Sequence, residues 1–353
     1  MSRKHSLYTM QFEVPKDLIA SEPSQRRDEA RLFVYDTKSN QIHFDLFKNI
    51  SQYLPPNTLL VLNDTKVIKA RTHLKKETGG KIEVFFLLNE WGGSGPVPAI
   101  VDRTLQIGDK VFFDSENFCQ VVSQNENIFY LDTFFKHNNI YSILEKYGEV
   151  PLPPYIKNSK LAPSEIEKRY QTVFAKNPGS VAAPTASLHF TNELLENLLR
   201  RGIKQTHITL DVGLGTFANI TEKNIQEKKL HKERFQIPSL SKKIIKEQIM
   251  QGRRVAAVGT TSVRTLETNA ELILNGDDSD IRGETDMFIL PPYNFKIVDT
   301  LITNFHLPGT SLIMLVEAFL QHKKSARSVS ELYKIAIENK FRFYSFGDSM
   351  LIT

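Results

Sequence analysis

The sequence predicts an α/β fold: a mixed, partly parallel sheet domain into which a small all-β barrel domain is inserted. Three observations carry this. Short alternating strands separated by turn signals fill residues 66–150. From about Val181 onward strands alternate with amphipathic helices. A strand-like apolar run, Thr58-Leu-Leu-Val-Leu62, stands ahead of the β-rich stretch, so that stretch reads as an insertion. At 353 residues the chain is long for one core, domains being about 100 to 200 residues. The expected division is a discontinuous α/β domain, 1–65 with 151–353, and an inserted barrel, 66–150.

Within the insertion, Lys81-Ile-Glu-Val-Phe-Phe-Leu-Leu88 follows the turn Gly79-Gly80, and Trp91-Gly-Gly-Ser-Gly-Pro96 is a loop. Lys110-Val-Phe-Phe113 follows Ile107-Gly-Asp109, and Asn125-Glu-Asn127 separates two further strands. Closure into a barrel would remove the exposed edges of so small a sheet. Beyond it, Thr191 is placed to cap a helix whose buried side holds Leu194, Leu195, Leu198 and Leu199, and Gly202 ends that helix. A strand, His207-Ile-Thr-Leu-Asp-Val212, precedes an amphipathic helix near Ser241–Gln251. The buried strand Val255-Ala-Ala-Val258 and a helix starting near Ser262 come next. Ser328-Val-Ser-Glu331 is a capping box opening a late helix.

Composition narrows the class. With 41% hydrophobic and 24% charged residues the chain is ordinary globular protein. One cysteine, Cys119, excludes a disulfide framework, indicates a reducing compartment, and reads as a small strand residue rather than a nucleophile. No apolar run approaches the roughly 18 residues of a membrane span, and no secretion signal opens the sequence. The expectation is a soluble, cytoplasmic protein. The net charge is +5, but ten Lys/Arg face four Glu between Thr221 and Arg254, and Arg26, Arg27 and Arg31 cluster separately. Such patches favour a polyanion, RNA being the commonest, although any single lysine is better read as a solvated side chain.

Four segments have the texture of a site. Gly179-Ser-Val-Ala-Ala-Pro-Thr-Ala-Ser-Leu-His-Phe-Thr191 lets backbone approach a ligand and runs into a helix N-terminus. A tight packing loop would explain Thr191, but it leaves His189 beside the alanines unexplained. Asp211-Val-Gly-Leu-Gly-Thr-Phe217 is a strand entering a glycine turn. The third dinucleotide glycine is missing, so a nicotinamide site is disfavoured, and spacing alone leaves an ordinary turn open. Gly259-Thr-Thr-Ser-Val-Arg264 lies between strand and helix; Ser262 is the expected cap, and Arg264 opposes the helix dipole. Leu301-Ile-Thr-Asn-Phe-His-Leu-Pro-Gly-Thr-Ser-Leu312 ends a strand at Asn304 and His306, with Thr310 or Ser311 as the next cap. A lone histidine is more often structural; two at loop–helix junctions shift the balance towards proton chemistry. There is no phosphate-binding lysine loop, no paired-cysteine site and no zinc-helix motif, so no metal is expected.

Further matches run in order along the chain: Arg27-Asp-Glu-Ala-Arg-Leu32, Val61-Leu-Asn-Asp-Thr-Lys-Val67, Gly148-Glu-Val-Pro-Leu-Pro-Pro-Tyr155, Arg169-Tyr-Gln-Thr-Val173 and Arg342-Phe-Tyr-Ser-Phe-Gly-Asp348. With the four segments they make the chain closely resemble the QueA family, S-adenosylmethionine:tRNA ribosyltransferase-isomerases of queuosine synthesis. The resemblance implies that the ribosyl group of S-adenosylmethionine is transferred and isomerised onto 7-aminomethyl-7-deazaguanine at the wobble position of a tRNA. Epoxyqueuosine is the implied product, with adenine and methionine released, and the implied fold is an α/β domain with an inserted β-barrel. Two departures stand out: Asp211 replaces the usual histidine and Ser187 the usual glycine.

Under that resemblance His189 and His306 are the expected proton carriers, with Asp211 at a catalytic position but unable to supply an imidazole. Thr185, Gly213, Gly215, Thr216, Thr260, Thr261 and Asn304 are expected to bind S-adenosylmethionine, with Arg264 holding its methionyl carboxylate. Arg27, Arg31, Lys232, Arg342 and Gln171 are expected on the RNA, with Tyr155, Tyr170 or Phe343 stacking on an unpaired base. The enzyme is expected to act as a monomer. Two other readings compete, an S-adenosylmethionine-dependent RNA methyltransferase and a non-catalytic RNA-binding protein. The first lacks its glycine turn paired with an acidic residue ending the next strand, and the second leaves the histidines idle.

Overall fold

The computed structural model describes residues 12–136, 139–153, 156, 159, 161–213 and 220–353. Strands β1 (Arg31–Asp36) and β2 (Gln41–Leu46) form an antiparallel hairpin. Asp36 turns it by accepting from the amides of Lys38 and Ser39, both at 2.9 Å. Strand β3 (Leu59–Asn63) is buried throughout, and β4 (Thr65–Val67) leads away from it. The next strands are β5 (Arg71–Lys76), β6 (Lys81–Phe86), β7 (Val97–Val101), β8 (Lys110–Phe112), β9 (Phe118–Asn125), β10 (Ile128–Phe134) and β11 (Gly148–Glu149). They run in the order β11-β5-β6-β7-β10-β9-β8, and β8 also pairs with β5, which closes the barrel. The barrel is not purely β. Helix Ile140–Tyr147, opened by a reciprocal Asn139–Ser142 capping box, buries Ile140 and Leu144 in the same apolar cluster as Ile82, Val84 and Phe86.

Strand β12 (Asn177–Ser180) returns beside β4 in parallel. It is followed by β13 (Lys204–Leu210), β14 (Lys229–Ile237), β15 (Val255–Val258), β16 (Ile281–Met287), β17 (Thr300–Asn304) and β18 (Ser349–Ile352). The nine-stranded sheet has the order β16-β14-β13-β3-β15-β17-β18-β1-β2. Its centre, β13-β3-β15-β17, is parallel, while β14, β16 and β2 pair antiparallel at the flanks. The latest strand, β18, lies between β17 and β1, parallel to β1 and antiparallel to β17.

The period-2 geometry of strands divides this sheet into two cores. Phe33, Leu59, Val61, Val255, Ala257 and Leu301 face one layer, packed by helices Ser239–Met250, Thr260–Thr268, Ser311–His322 and Val329–Glu338. Leu32, Leu60, Leu62, Ala256, Val258 and Ile302 face the other, against Leu194, Leu195 and Leu198 of helix Asn192–Arg200. Leu199 does not join them, being 57% exposed, because it lies on the helix's outer side. Thr191 Oγ1 caps this helix by accepting from the Leu194 amide at 3.1 Å. Among the described residues no helix is long and apolar enough to cross a membrane, and no group of three or more His, Cys, Asp and Glu could hold a metal ion.

Candidate active site

The carboxyl ends of parallel strands β15 and β17 lie side by side, the usual ligand crevice of such sheets. After β15 the chain turns through Gly259 at φ +87°, a left-handed conformation that favours glycine, and enters helix Thr260–Thr268. A Cβ at Gly259 would lie 3.7 Å from that of Ala186, so the turn packs directly on the 3-10 helix Thr185–His189. A hollow results, lined by Thr185, Val212, Thr260, Thr261, Thr303 and His306 among others. A second shares Thr185 and His306 and adds Asn304, Thr310, Tyr344 and Ser345. All four segments singled out in the sequence meet here, the second through Val212.

The two histidines occupy different positions. His306 is half-buried on both hollows, its Nε2 hydrogen-bonded to Thr303 Oγ1 at 2.8 Å. Loss of solvent pushes its imidazole down to about 3. His189 is buried against the Phe47 ring, 5.1 Å between centroids. Asn304 Nδ2 donates to the carbonyls of Tyr344 and Ser345 at 3.0 and 3.2 Å, which turns Oδ1 towards His189. The imidazole therefore donates Nε2–H to that oxygen at 2.9 Å and keeps its lone pair on Nδ1. Burial holds His189 down to about 4, so both rings are neutral near pH 7. His189 itself lines a separate small hollow with Arg27, Ser345 and Phe346, and is linked to the main one through Asn304.

Arg264 is 4% exposed and heavily committed. Its Nη1 pairs with Glu233 Oε2, and its Nε donates to the Met287 carbonyl at 3.0 Å. Among the described residues its Nη2 has no hydrogen-bond partner, nor has the buried Thr261 Oγ1. Thr261 lines the hollow, and its unpartnered hydroxyl there fits a polar ligand, since buried polar groups are otherwise almost always satisfied. Glu233 was not anticipated. Its Oε1 accepts from the Gly213 amide at 2.9 Å, so it ties the glycine turn to Arg264. The signal was present: Glu233, Phe235 and Ile237 alternate along β14 and all are buried, putting a carboxylate on the apolar face.

Other expectations are corrected. Ser262 caps nothing, since its hydroxyl donates back to the Val258 carbonyl at 2.8 Å. Thr310 Oγ1 likewise turns back to the Leu307 carbonyl at 2.9 Å, and the helix after it has no side-chain cap. Asp211 is not with the histidines. It accepts from Thr65 Oγ1 at 3.2 Å and Arg234 Nη2 at 3.4 Å beneath the insert, where burial raises its carboxyl to about 6. Tyr170 and Phe343 are fully buried and offer no ring face to a base. Gln171 is spent on both backbone groups of Val67. Arg27 donates to the carbonyls of Leu188 and Lys168, Arg31 to that of Asn339, and Arg342 to that of Glu22 and to Asp348, so each guanidinium ties distant segments together while staying partly exposed. Of the basic run, Lys242 is buried. Lys232 remains at the surface, paired with Glu284 at 3.2 Å. Tyr155, Gly215 and Thr216 lie outside the described residues.

A family model described as "Queuosine biosynthesis protein" matches residues 7–352. A protein of Thermoanaerobacter sp. (strain X514), named S-adenosylmethionine:tRNA ribosyltransferase-isomerase, is 45% identical over 97% of this chain and 98% of its own length. One of the same name from Thermotoga maritima is 41% identical over 97% of this chain and 98% of its own length. A crystal structure of S-adenosylmethionine tRNA ribosyltransferase from Thermotoga maritima matches 98% of this chain and 99% of that one, at 32% identity and a TM-score of 0.54.

Proposed function

The chain belongs to the queuosine biosynthesis protein family, and on that footing we propose that it is an S-adenosylmethionine:tRNA ribosyltransferase-isomerase. Its substrates are S-adenosylmethionine and a tRNA carrying 7-aminomethyl-7-deazaguanine at the wobble position. The ribosyl group moves to the aminomethyl nitrogen and is isomerised, giving epoxyqueuosine, adenine and methionine. What supports this reading most directly is the hollow where Thr185, Thr260, Thr261 and His306 meet, with the buried Thr261 hydroxyl unsatisfied among the described residues.

The sulfonium of S-adenosylmethionine acidifies the neighbouring ribose C5′–H. His306, neutral and facing the hollow, is the base that takes this proton. Arg264 Nη2 holds the methionyl carboxylate, with Glu233 fixing the guanidinium, and the Thr261 hydroxyl donates to or accepts from the cofactor. His189 acts one step removed: it orients Asn304, which in turn lines the hollow.

The test is adenine release, followed by chromatography, from purified protein with S-adenosylmethionine and tRNA. Release is expected only with tRNA bearing the aminomethyl base. Equal turnover of the free base would remove the RNA requirement, and S-adenosylhomocysteine in place of adenine would establish a methyltransferase. Binding of tRNA with no turnover would leave a non-catalytic RNA-binding protein. In the same assay His306→Asn should lower kcat by about 10²- to 10⁴-fold with little change in cofactor affinity. His189→Asn should cost markedly less; the reverse order would make His189 the base.

A further inference from the structure

We propose that the outer face of the inserted barrel is a platform for single-stranded RNA, holding unpaired nucleotides of the substrate; this rests on the reading that the substrate is a tRNA. The argument begins with strand register. Lys81 lies opposite Lys75, Lys75 opposite Phe112, Phe112 opposite Phe118, and Phe118 opposite Phe134. Five side chains thus form one transverse row across β6, β5, β8, β9 and β10. Strands are about 4.8 Å apart, so the row spans roughly 19 Å. Alternation fixes its direction, because the flanking residues Ile82, Leu74, Val111 and Cys119 are all in the barrel core. The row faces out, and Phe134 at its end is 43% exposed.

The rings are already arranged as a stack. Phe112 and Phe118 have centroids 5.3 Å apart, and Phe118 and Phe134 are 4.7 Å apart and within 8° of parallel. Lys110, in the next row, holds its ammonium 5.3 Å from the Phe118 ring. Of the acids nearby, Glu116 is engaged by Lys136 and Asp114 by Asn117 and Tyr147, while Asp132 shares the outer face in the row of Lys110 and Gln120. Cross-strand aromatic pairing stabilises a sheet and by itself accounts for ring-on-ring contact. It does not call for two lysines continuing the same row. Phe134, exposed at the end of the stack, can extend it onto a base, and the lysines continuing the row match the phosphates of the same strand; such binding is tolerant of base identity.

The test uses the full chain, a fluorescently labelled oligouridine followed by anisotropy, and tRNA turnover. Phe134→Ala changes an exposed residue, and an unchanged melting temperature will show that the barrel is intact. It should weaken oligouridine binding by about 10-fold or more and raise KM for tRNA, leaving kcat at saturation unchanged. Phe118→Tyr, which keeps an aromatic face, should stay near wild type. Lys75→Glu should weaken binding and flatten its salt dependence. The platform is overturned if wild type does not bind oligouridine, or if Phe134→Ala and Lys75→Glu bind it as wild type does. It is equally overturned if the variants instead abolish a self-association of the protein, which would make the face a contact between copies. Adenine release with KM untouched by these variants sinks the platform alone, whereas absence of adenine release from wild type sinks the functional reading.

Discussion

Asp211 is a carboxyl under a roof of protein, 15% exposed, with Arg234 as its nearest cation. Burial outweighs that cation and raises the group to about 6. In the unfolded chain it ionises near a pH of about 3.9. Between those values the folded state keeps a proton that the unfolded state has lost, so this contribution to stability is complete below about 4 and gone by about 6. The shift corresponds to on the order of 3 kcal/mol. Thermal unfolding should therefore show the difference between wild type and Asp211→Asn moving in the variant's favour as pH rises from about 4 to about 7. A constant difference would mean that the carboxyl is not raised. The sequence marked Asp211 as a departure at a site position but not what it touches, since Arg234 reaches it only once β14 pairs beside β13. Glu233 was legible from alternation, whereas burial of Tyr170 and Phe343 depends on packing between distant segments, such as the Phe343 ring against Phe305 and Tyr333.

At the scale of elements, the helices divide by how they begin. Helix Val329–Glu338 carries the full box: Ser328 Oγ accepts from the Glu331 amide at 3.4 Å, and Glu331 Oε2 from the Ser328 amide at 2.8 Å. Helices Thr260–Thr268 and Ser311–His322, which start at the hollow, have no side-chain cap. Their first amides stay available to an anionic or polar ligand, at some expense in intrinsic helix stability. Ser328→Ala should lower unfolding free energy in urea by about 1 kcal/mol and leave turnover intact. A loss of activity without loss of stability would contradict that separation. Strand and helix types were readable from periodicity, and so was the Ser328 box. The missing caps were not, because a serine or threonine near a helix start looks the same whether its hydroxyl turns towards the amides or back to the preceding carbonyl.

At the scale of the molecule, insertion and sheet are joined by polar bonds as well as by chain. Arg234, on β14, donates to the carbonyls of Leu88 and Trp91. The insertion was visible because its texture differs from its surroundings on both sides; the helix within it was not, its eight residues being short for a periodic signal. The place of β18 was hidden as well, since strand order is a long-range property that local pattern does not encode. That place has a consequence for biosynthesis. The hairpin β1–β2 leaves the ribosome about 300 residues ahead of β18, the strand that joins it to the rest of the sheet. Until then Leu32, Phe33, Val34 and Tyr35 have no finished sheet to enter, the condition under which nascent chains recruit chaperones or aggregate. Ribosomes arrested after helix Val329–Glu338 but before Ser349 should present the hairpin as protease-sensitive, and read-through should protect it. Early protection would mean that the hairpin docks without β18.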